Sequence, residues 1–197
     1  MRQHMTDYEV QSQVQQELSH GEKLLWSGRP SRGFRLQAAD GLLIPFGVFW
    51  TGFTIDWEWT AIRYGAPFPF ALFGIPFVLV GLYLVFGRFV VEARRRARTF
   101  YGLTDRRAII VRSGSRRDVT AISLHQLSGV RLREGRNRRG TIVLGSANTP
   151  FGGIPDWFAG SGWPGMARYL PPSFEEIEDV RQVYGLLQES QHAEVGA

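Results

Sequence analysis

The stretch FGRFVVEARRRARTFYGLTDRRAIIV, residues 86–111, decides how this chain is read. Before it lies a long apolar run. Within it the chain turns abruptly arginine-rich. After it come short segments that alternate between apolar residues and turn formers. Working outward from here, the chain divides into an apolar middle, a basic junction and a small β-rich body.

Upstream, the run from Tyr64 to Gly87 contains no charged residue. An uncharged run of roughly 18 or more residues reads as a transmembrane helix. Pro76 within it is tolerable, because neighbouring helices can satisfy the freed backbone groups. Gly74 and Gly81 would let a partner helix approach closely. A first apolar block, residues 41–55, lies between Asp40 and Asp56. It is short for a span, which takes roughly 17–25 residues, but extends back through Leu36, Ala38 and Ala39. The two blocks predict a hairpin over 36–91, with helices at about 36–55 and 67–91.

The flanks of this hairpin differ in charge. Arg29, Arg32 and Arg35 precede it, and Arg88, Arg94, Arg95, Arg96 and Arg98 follow it. The connecting loop holds Asp56, Glu58 and Arg63, with Trp57 and Trp59 placed where an aromatic belt would lie. Excess arginine marks the cytoplasmic side. The expectation is a multi-pass protein of the cytoplasmic membrane with both termini cytoplasmic.

Composition sets further limits. The chain has 197 residues, a net charge of +5 and no cysteine, and Lys23 is its only lysine. The basic balance points to anionic partners. Without cysteine there is no disulfide, thiol nucleophile or thiolate metal site. The polar, Gln-rich N-terminus does not read as a secretory signal. Residues 1–35 read as a cytoplasmic segment. A weak helix over 7–20 carries the narrow stripe Val10, Val14 and Leu18, suiting either a frayed terminal helix or a small partner-binding one. Trp26 suits either an interfacial anchor or packing on the β-rich body.

Residues 92–98 read as a basic linker, residues 99–189 as an antiparallel sheet or barrel domain ending in a helix, and 190–197 as a disordered tail. The segment 146–172, rich in Gly, Pro and Trp, reads as loop.

FYGLTDRRAIIV resembles the Tyr-x-Leu-Thr-x-x-Arg signature of bacterial pleckstrin-homology-like (bPH) domains, carried here by Tyr101, Leu103, Thr104 and Arg107. GEKLLWSGRP is similar to the segment preceding the membrane hairpin in multi-pass proteins with such a domain. PSFEEIEDVRQVYGLL is similar to the module's closing strand and helix. The resemblance covers roughly residues 21–189. It implies a membrane α-helical hairpin plus a small PH-like domain: a bent antiparallel sheet or partial barrel with a C-terminal helix. It implies no enzymatic activity. Tyr101 and Leu103 should face the core, with Thr104 and Asp105 in the turn. The turn is too short for the basic loop with which eukaryotic relatives hold phosphoinositides.

Juxtamembrane arginines attract anionic lipid by about 1 kcal/mol each. Arg94, Arg95, Arg96, Arg98, Arg106 and Arg107 are therefore the candidate headgroup or partner-binding set; they would equally serve to orient the hairpin. A second patch, Arg131, Arg133, Arg136, Arg138 and Arg139, lacks the interleaved aromatics that nucleic-acid binding uses, and reads as a solvated hairpin loop. GSGWPG (160–165) fits a dinucleotide motif only in letters, because Trp163-Pro164 spoils the helix start. The four histidines have no metal-ligand spacing. Asp118, Ser123 and His125 form a triad only on paper. No cofactor, metal or nucleic acid is expected. Asp40 is read as an acid near a helix end that reaches water. The functional expectation is a non-catalytic, membrane-anchored module that recruits a protein partner or self-associates. The alternative is a transport or enzyme subunit using Asp40 and the 56–63 loop.

Overall fold

The structure, a computed structural model, describes residues 2–31, 40–114, 116–127, 129–135, 137–145 and 170–195. The elements are α1 (Arg2–Gln15), β1 (Leu24–Gly28), α2 (Asp40–Arg63), α3 (Phe68–Leu82), a π-helical segment (Tyr83–Gly87), α4 (Arg88–Ala97), β2 (Thr99–Thr104), β3 (Arg107–Ser113), β4 (Arg117–Ser123), a 3-10 turn (Leu124–Gln126), β5 (Arg131–Glu134), β6 (Gly140–Val143), β7 (Ser173–Ile177) and α5 (Val180–Val195). They fall into two compact units. One holds α1, the seven strands and α5; the other holds α2, α3 and the π segment, with the division falling after Glu92 inside α4.

The sheet unit contains two small antiparallel sheets, ordered β1-β2-β3-β4 and β5-β6-β7. Tyr101 pairs with Ile110 and with Gly28, and Leu103 with Ala108 and with Trp26. Alternate residues of β2 and β3 serve two different cores. Tyr101, Leu103, Ala108 and Ile110 join Ile142, Phe174, Ile177, Val180, Val183 and Leu187 in a core shared by both sheets and α5. Phe100, Ile109 and Val111 face the other way, against Val10 and Val14 of α1. A strand buried on both faces shows no polar alternation, which is why AIIV reads as a continuous apolar run.

This corrects the domain limits read from sequence. The sheet unit does not begin at residue 99. β1 supplies the partner for β2, and Trp26 packs on Phe174 at 5.7 Å rather than serving as an interfacial anchor. Helix α1 is no frayed end: Val10 and Val14 are buried, each worth about 1.5–3 kcal/mol of apolar transfer. The supposed linker 92–98 is helical to Ala97, and α5 runs to Val195 through most of the tail expected to be disordered. Gln191 holds that end by donating to the Leu124 carbonyl at 3.0 Å. The loop expected at 146–172 lies almost wholly outside the described residues.

In the helical unit α2 and α3 pack antiparallel. A side chain added at Gly47 would strike Val85 and Leu84, one at Gly81 would strike Thr51, and one at Gly74 would strike Glu58. Small residues thus bring the helices together. Trp50 donates to the Phe77 carbonyl at 3.2 Å, and the Trp57 ring packs on Phe70 at a tilt, with centroids 5.2 Å apart. These last contacts overturn the expected outer loop at 56–63. That segment is the end of α2, and the chain turns only at Gly65, whose φ of 75° suits glycine. The first helix begins at Asp40 in the described residues; residues 36–39, assigned to it from sequence, lie outside them.

α3, the π segment and α4 run on as one helix, Phe68–Ala97. Among the described helices it alone is long and apolar enough to cross a membrane, with 18% of its most apolar stretch buried. α2 is less apolar and carries Asp40, Asp56, Glu58 and Arg63.

Asp40 does not reach water. It is 5% exposed and its Oδ1 lies 2.6 Å from Nη1 of Arg88, itself 4% exposed. Asp40 opens α2 and Arg88 lies opposite it within the continuous Phe68–Ala97 helix, so closing the hairpin brings them together. Removing one partner of such a buried pair costs about 3–5 kcal/mol, much of it from stranding the other charge. Asp40→Asn should therefore lower the thermal stability of the full chain by that order. Adding Arg88→Met should recover most of the loss. Equal stability of wild type and Asp40→Asn would show that the pair contributes nothing.

Candidate functional site

The site read from sequence is built on β2. This strand carries Tyr101, Leu103 and Thr104 of the signature, whose Arg107 opens β3, and it has candidate arginines at both ends. Tyr101 and Leu103 point into the main core, 2% and 0% exposed. The Tyr101 hydroxyl accepts from the Glu175 amide at 3.1 Å, and burial, with the Glu175 charge, pushes its phenol above the usual range.

Thr104 and Arg107 bracket the β2–β3 turn and converge on Glu22. Arg107 grips that carboxylate with two bonds, Nε to Oε1 and Nη2 to Oε2, both 2.8 Å. The Thr104 hydroxyl donates to Oε1 at 2.7 Å, and the Ser19 amide donates to Oε2 at 2.8 Å. Thr104 Oγ1 also accepts from the Arg107 amide at 3.0 Å, which closes the turn. Lys23 and Asp105 exchange two further bonds beside it. The Arg107 hydrogen bonds, with help from Ser19 and Thr104, hold the Glu22 carboxyl at about 2. Glu22 in turn raises Arg107 above its ordinary value. The signature is thus a clamp that fastens the segment before β1 to the β2–β3 turn.

Arg107 is therefore engaged by protein, and it leaves the candidate headgroup set. The remaining arginines do not form one cluster. Arg94, Arg95, Arg96 and Arg98 precede β2, whereas Arg106 lies beyond its far end. The six residues of β2 put roughly 20 Å between those ends. Arg95 reaches Glu175 at 3.5 Å, and Arg96 is half-buried. Arg94, Arg98 and Arg106 are exposed.

Two arginines not selected from the sequence join the Arg94–Arg98 end. Arg112 lies opposite Thr99 on β3, and Ser113 donates its amide to the Arg98 carbonyl at 2.8 Å. Arg116, in the following turn, is exposed. The register of β2 on β3 makes this basic end, and the FYG–AIIV hairpin pattern was the signal for it. Arg112 pairs with Asp118 at 3.7 Å with both side chains exposed to solvent, a weak pair.

Two arginines of the second patch are paired with acids, and Arg181 of α5 pairs with the acid among them. Arg138 meets Asp179 at 3.2 Å, Arg139 meets Glu178 at 2.7 Å, and Glu134 meets Arg181 at 2.7 Å. It is a surface hairpin paired with acids at Arg138 and Arg139; its Arg136 and the GSGWPG stretch lie outside the described residues. Asp118 and Ser123 are five residues apart along β4, roughly 16 Å, so they cannot join His125 in a triad. No group of acids and histidines among the described residues could hold a metal. Asp40, the acid of the alternative reading, is paired with Arg88, and the supposed 56–63 loop is helix.

The depressed Glu22 value has a definite consequence. Its folded value lies below the ordinary 4.5, so the clamp stabilises fully above about pH 4.5 and is lost as pH falls toward 2. The shift corresponds to about 3 kcal/mol. In urea titrations of the full chain, stability should fall across that window. Glu22→Gln should be less stable at neutral pH and should lack that part of the slope. The same slope in both proteins would contradict the clamp.

Compared with family models, curated proteins and solved structures, the chain finds no match.

Proposed function

We propose that this protein is a non-catalytic module anchored in the cytoplasmic membrane by its helical unit, with a PH-like sheet domain that binds protein partners or further copies at the cytoplasmic face. The observation that carries the reading is an inverted distribution of side chains. Every exposed large hydrophobic among the described residues, apart from Tyr8, Leu25 and Val119, lies between Leu42 and Val91. Phe49 is 71% exposed and Phe68 75%, while the buried positions of α2 are Asp40, Gly47 and Thr54. Thr51 and Thr54 satisfy their hydroxyls on carbonyls of their own helix, at 2.6 and 2.9 Å. Helices with greasy exteriors and small or polar seams suit lipid, where apolar burial does not drive association and close packing does.

The two helices would insert as a hairpin, with the arginine excess holding both termini on the cytoplasmic side. α2 enters with its Asp40 already paired inside. Its Asp56, Glu58 and Arg63 come near the turn at Gly65, where an interface would lie. The sheet unit supports the PH-like reading through its two antiparallel sheets, its C-terminal helix and the clamp on which the bPH-like signature converges. Anionic headgroups would meet Arg94, Arg98, Arg112 and Arg116, at the end of β2 that follows directly on the apolar helix in the chain.

An alkaline-carbonate wash of membranes from cells expressing the full chain tests the anchor. The protein should stay with the membranes, and release into the wash would overturn the reading. The detergent-purified chain should also prefer short-chain phosphatidylglycerol to phosphatidylcholine. Replacing Arg94, Arg98 and Arg116 by Ala should remove roughly 3 kcal/mol of that preference, on the order of a hundredfold. An unchanged preference would limit these arginines to orienting the helices.

A further inference from the structure

The sheet face under α1 is shaped for the end of a helix. Its floor is Phe100, Ile109 and Val111, and Val14 rests over Gly102. Any side chain at Gly102 would occupy the place of Val14 Cγ1. The last turn of α1 is met by two guanidiniums. Arg117 donates to the Gln13 carbonyl at 3.1 Å and to the Gln16 amide oxygen at 3.2 Å, and it pairs with Glu17 at 2.7 Å. Arg107 donates to the Glu17 carbonyl at 2.9 Å. Free carbonyls and the negative end of the dipole make a helix C-terminus a good ligand for arginine.

We propose that this groove also accepts α1 of a second copy, so that neighbouring chains pair by exchanging their N-terminal helices. None of the helix-to-groove contacts depends on which copy supplies the helix, and exchange of an identical element is a low-cost route to a dimer. The hinge is present. The Arg107 and Thr104 bonds keep Glu22 at the β2–β3 turn, while Leu18 to Gly21 join it to the helix; extending them releases the Ser19 amide from Glu22 and the Ser19 hydroxyl from Arg107, and Gly21 has a φ of 78°. Four extended residues reach roughly 13–14 Å. The groove also argues for exchange over simple release. Outside Val10 and Val14 the described face of α1 is polar and loses little in water, whereas Phe100, Ile109 and Val111 would be bared. The groove therefore demands an occupant, and the matching one is another α1. This deepens the membrane reading and rests on it, since confinement in one plane raises the effective concentration of copies.

The cysteine-free chain allows a direct test. A Cβ at Gly102 lies 3.5 Å from Val14 Cβ, inside the disulfide range of about 3.5–4.5 Å. Full chains bearing Val14→Cys and Gly102→Cys, with different tags, are co-expressed, and their isolated membranes are oxidised. Exchange predicts a covalent dimer carrying both tags. That dimer should be lost when Val14→Cys is replaced by Tyr8→Cys, because Tyr8 is 77% exposed. A chain carrying both Val14→Cys and Gly102→Cys reports whether the variants fold and α1 docks at all. Cross-linking within that double variant but never between the tagged chains would overturn exchange. So would equal cross-linking by Tyr8→Cys, which marks collision, or no disulfide in the double variant, which denies the docking. A carbonate wash of the same samples scores the anchor separately: protein retained without a mixed dimer sinks exchange alone, and protein released sinks the anchor whatever the disulfides show.

Discussion

The constraint on which the rest depends is that α2 and α3 turn their large apolar side chains outward. Between them they keep Gly47, Thr51, Thr54, Gly74 and Gly81 for the seam, and Asp40 with Arg88 for its open end. In water each outward Phe or Leu forgoes about 1.5–3 kcal/mol of transfer free energy. A soluble helix pair would place those residues inside and the glycines outside. The Asp40–Arg88 pair follows the same logic, since a counter-charge offsets the cost of a charge inside an apolar unit; Glu58, against Gly74 in the same seam, has a buried Oε2 with no hydrogen-bond partner among the described residues.

The sheet unit solves a different problem. β2 and β3 are apolar on both faces, so they need two covers. One face has α5 and the second sheet. Among the described residues the other has α1, a mostly polar helix with two buried valines, with Leu18 and Leu24 beside it. What makes so slight a cover hold is the Glu22–Arg107–Thr104 clamp behind it and Arg117 across its last turn. The signature residues thus divide their work. Tyr101 and Leu103 fill the main core, and Thr104 and Arg107 fasten the segment leading from α1 to β1. Gly102 between them leaves room for Val14.

Much of this was legible in the sequence where the causes are local. The strands from Thr99 to Val143 announce themselves through short apolar runs cut by turn residues, and the final strand and helix do the same. What depends on distant partners was harder to see. β1 reads as a broken segment between Gly21 and Pro30 because its pairing strand lies some 75 residues away along the chain. α1 reads as weak because its stripe is narrow; the clue was the lack of alternation in AIIV, which calls for a second cover. The Asp40–Arg88 pair was available to anyone closing the hairpin, since the two residues flank the apolar blocks that pair. The arginine set failed for a simple geometric reason: Arg98 and Arg106 are close in number but sit at opposite ends of an extended strand, while Arg112 and Arg116 return to the first end.

The account stands or falls on what surrounds the outward faces of α2 and α3. In the cysteine-free background, single substitutions Phe49→Cys, Phe73→Cys and Leu79→Cys can be probed in intact membranes with a water-soluble maleimide, with Tyr64→Cys at the turn as the reference. Lipid burial predicts that the first three stay unlabelled until detergent or denaturant is added, while Tyr64→Cys labels readily. Prompt labelling of all four in intact membranes would mean that these faces meet water, and the membrane anchor would be contradicted.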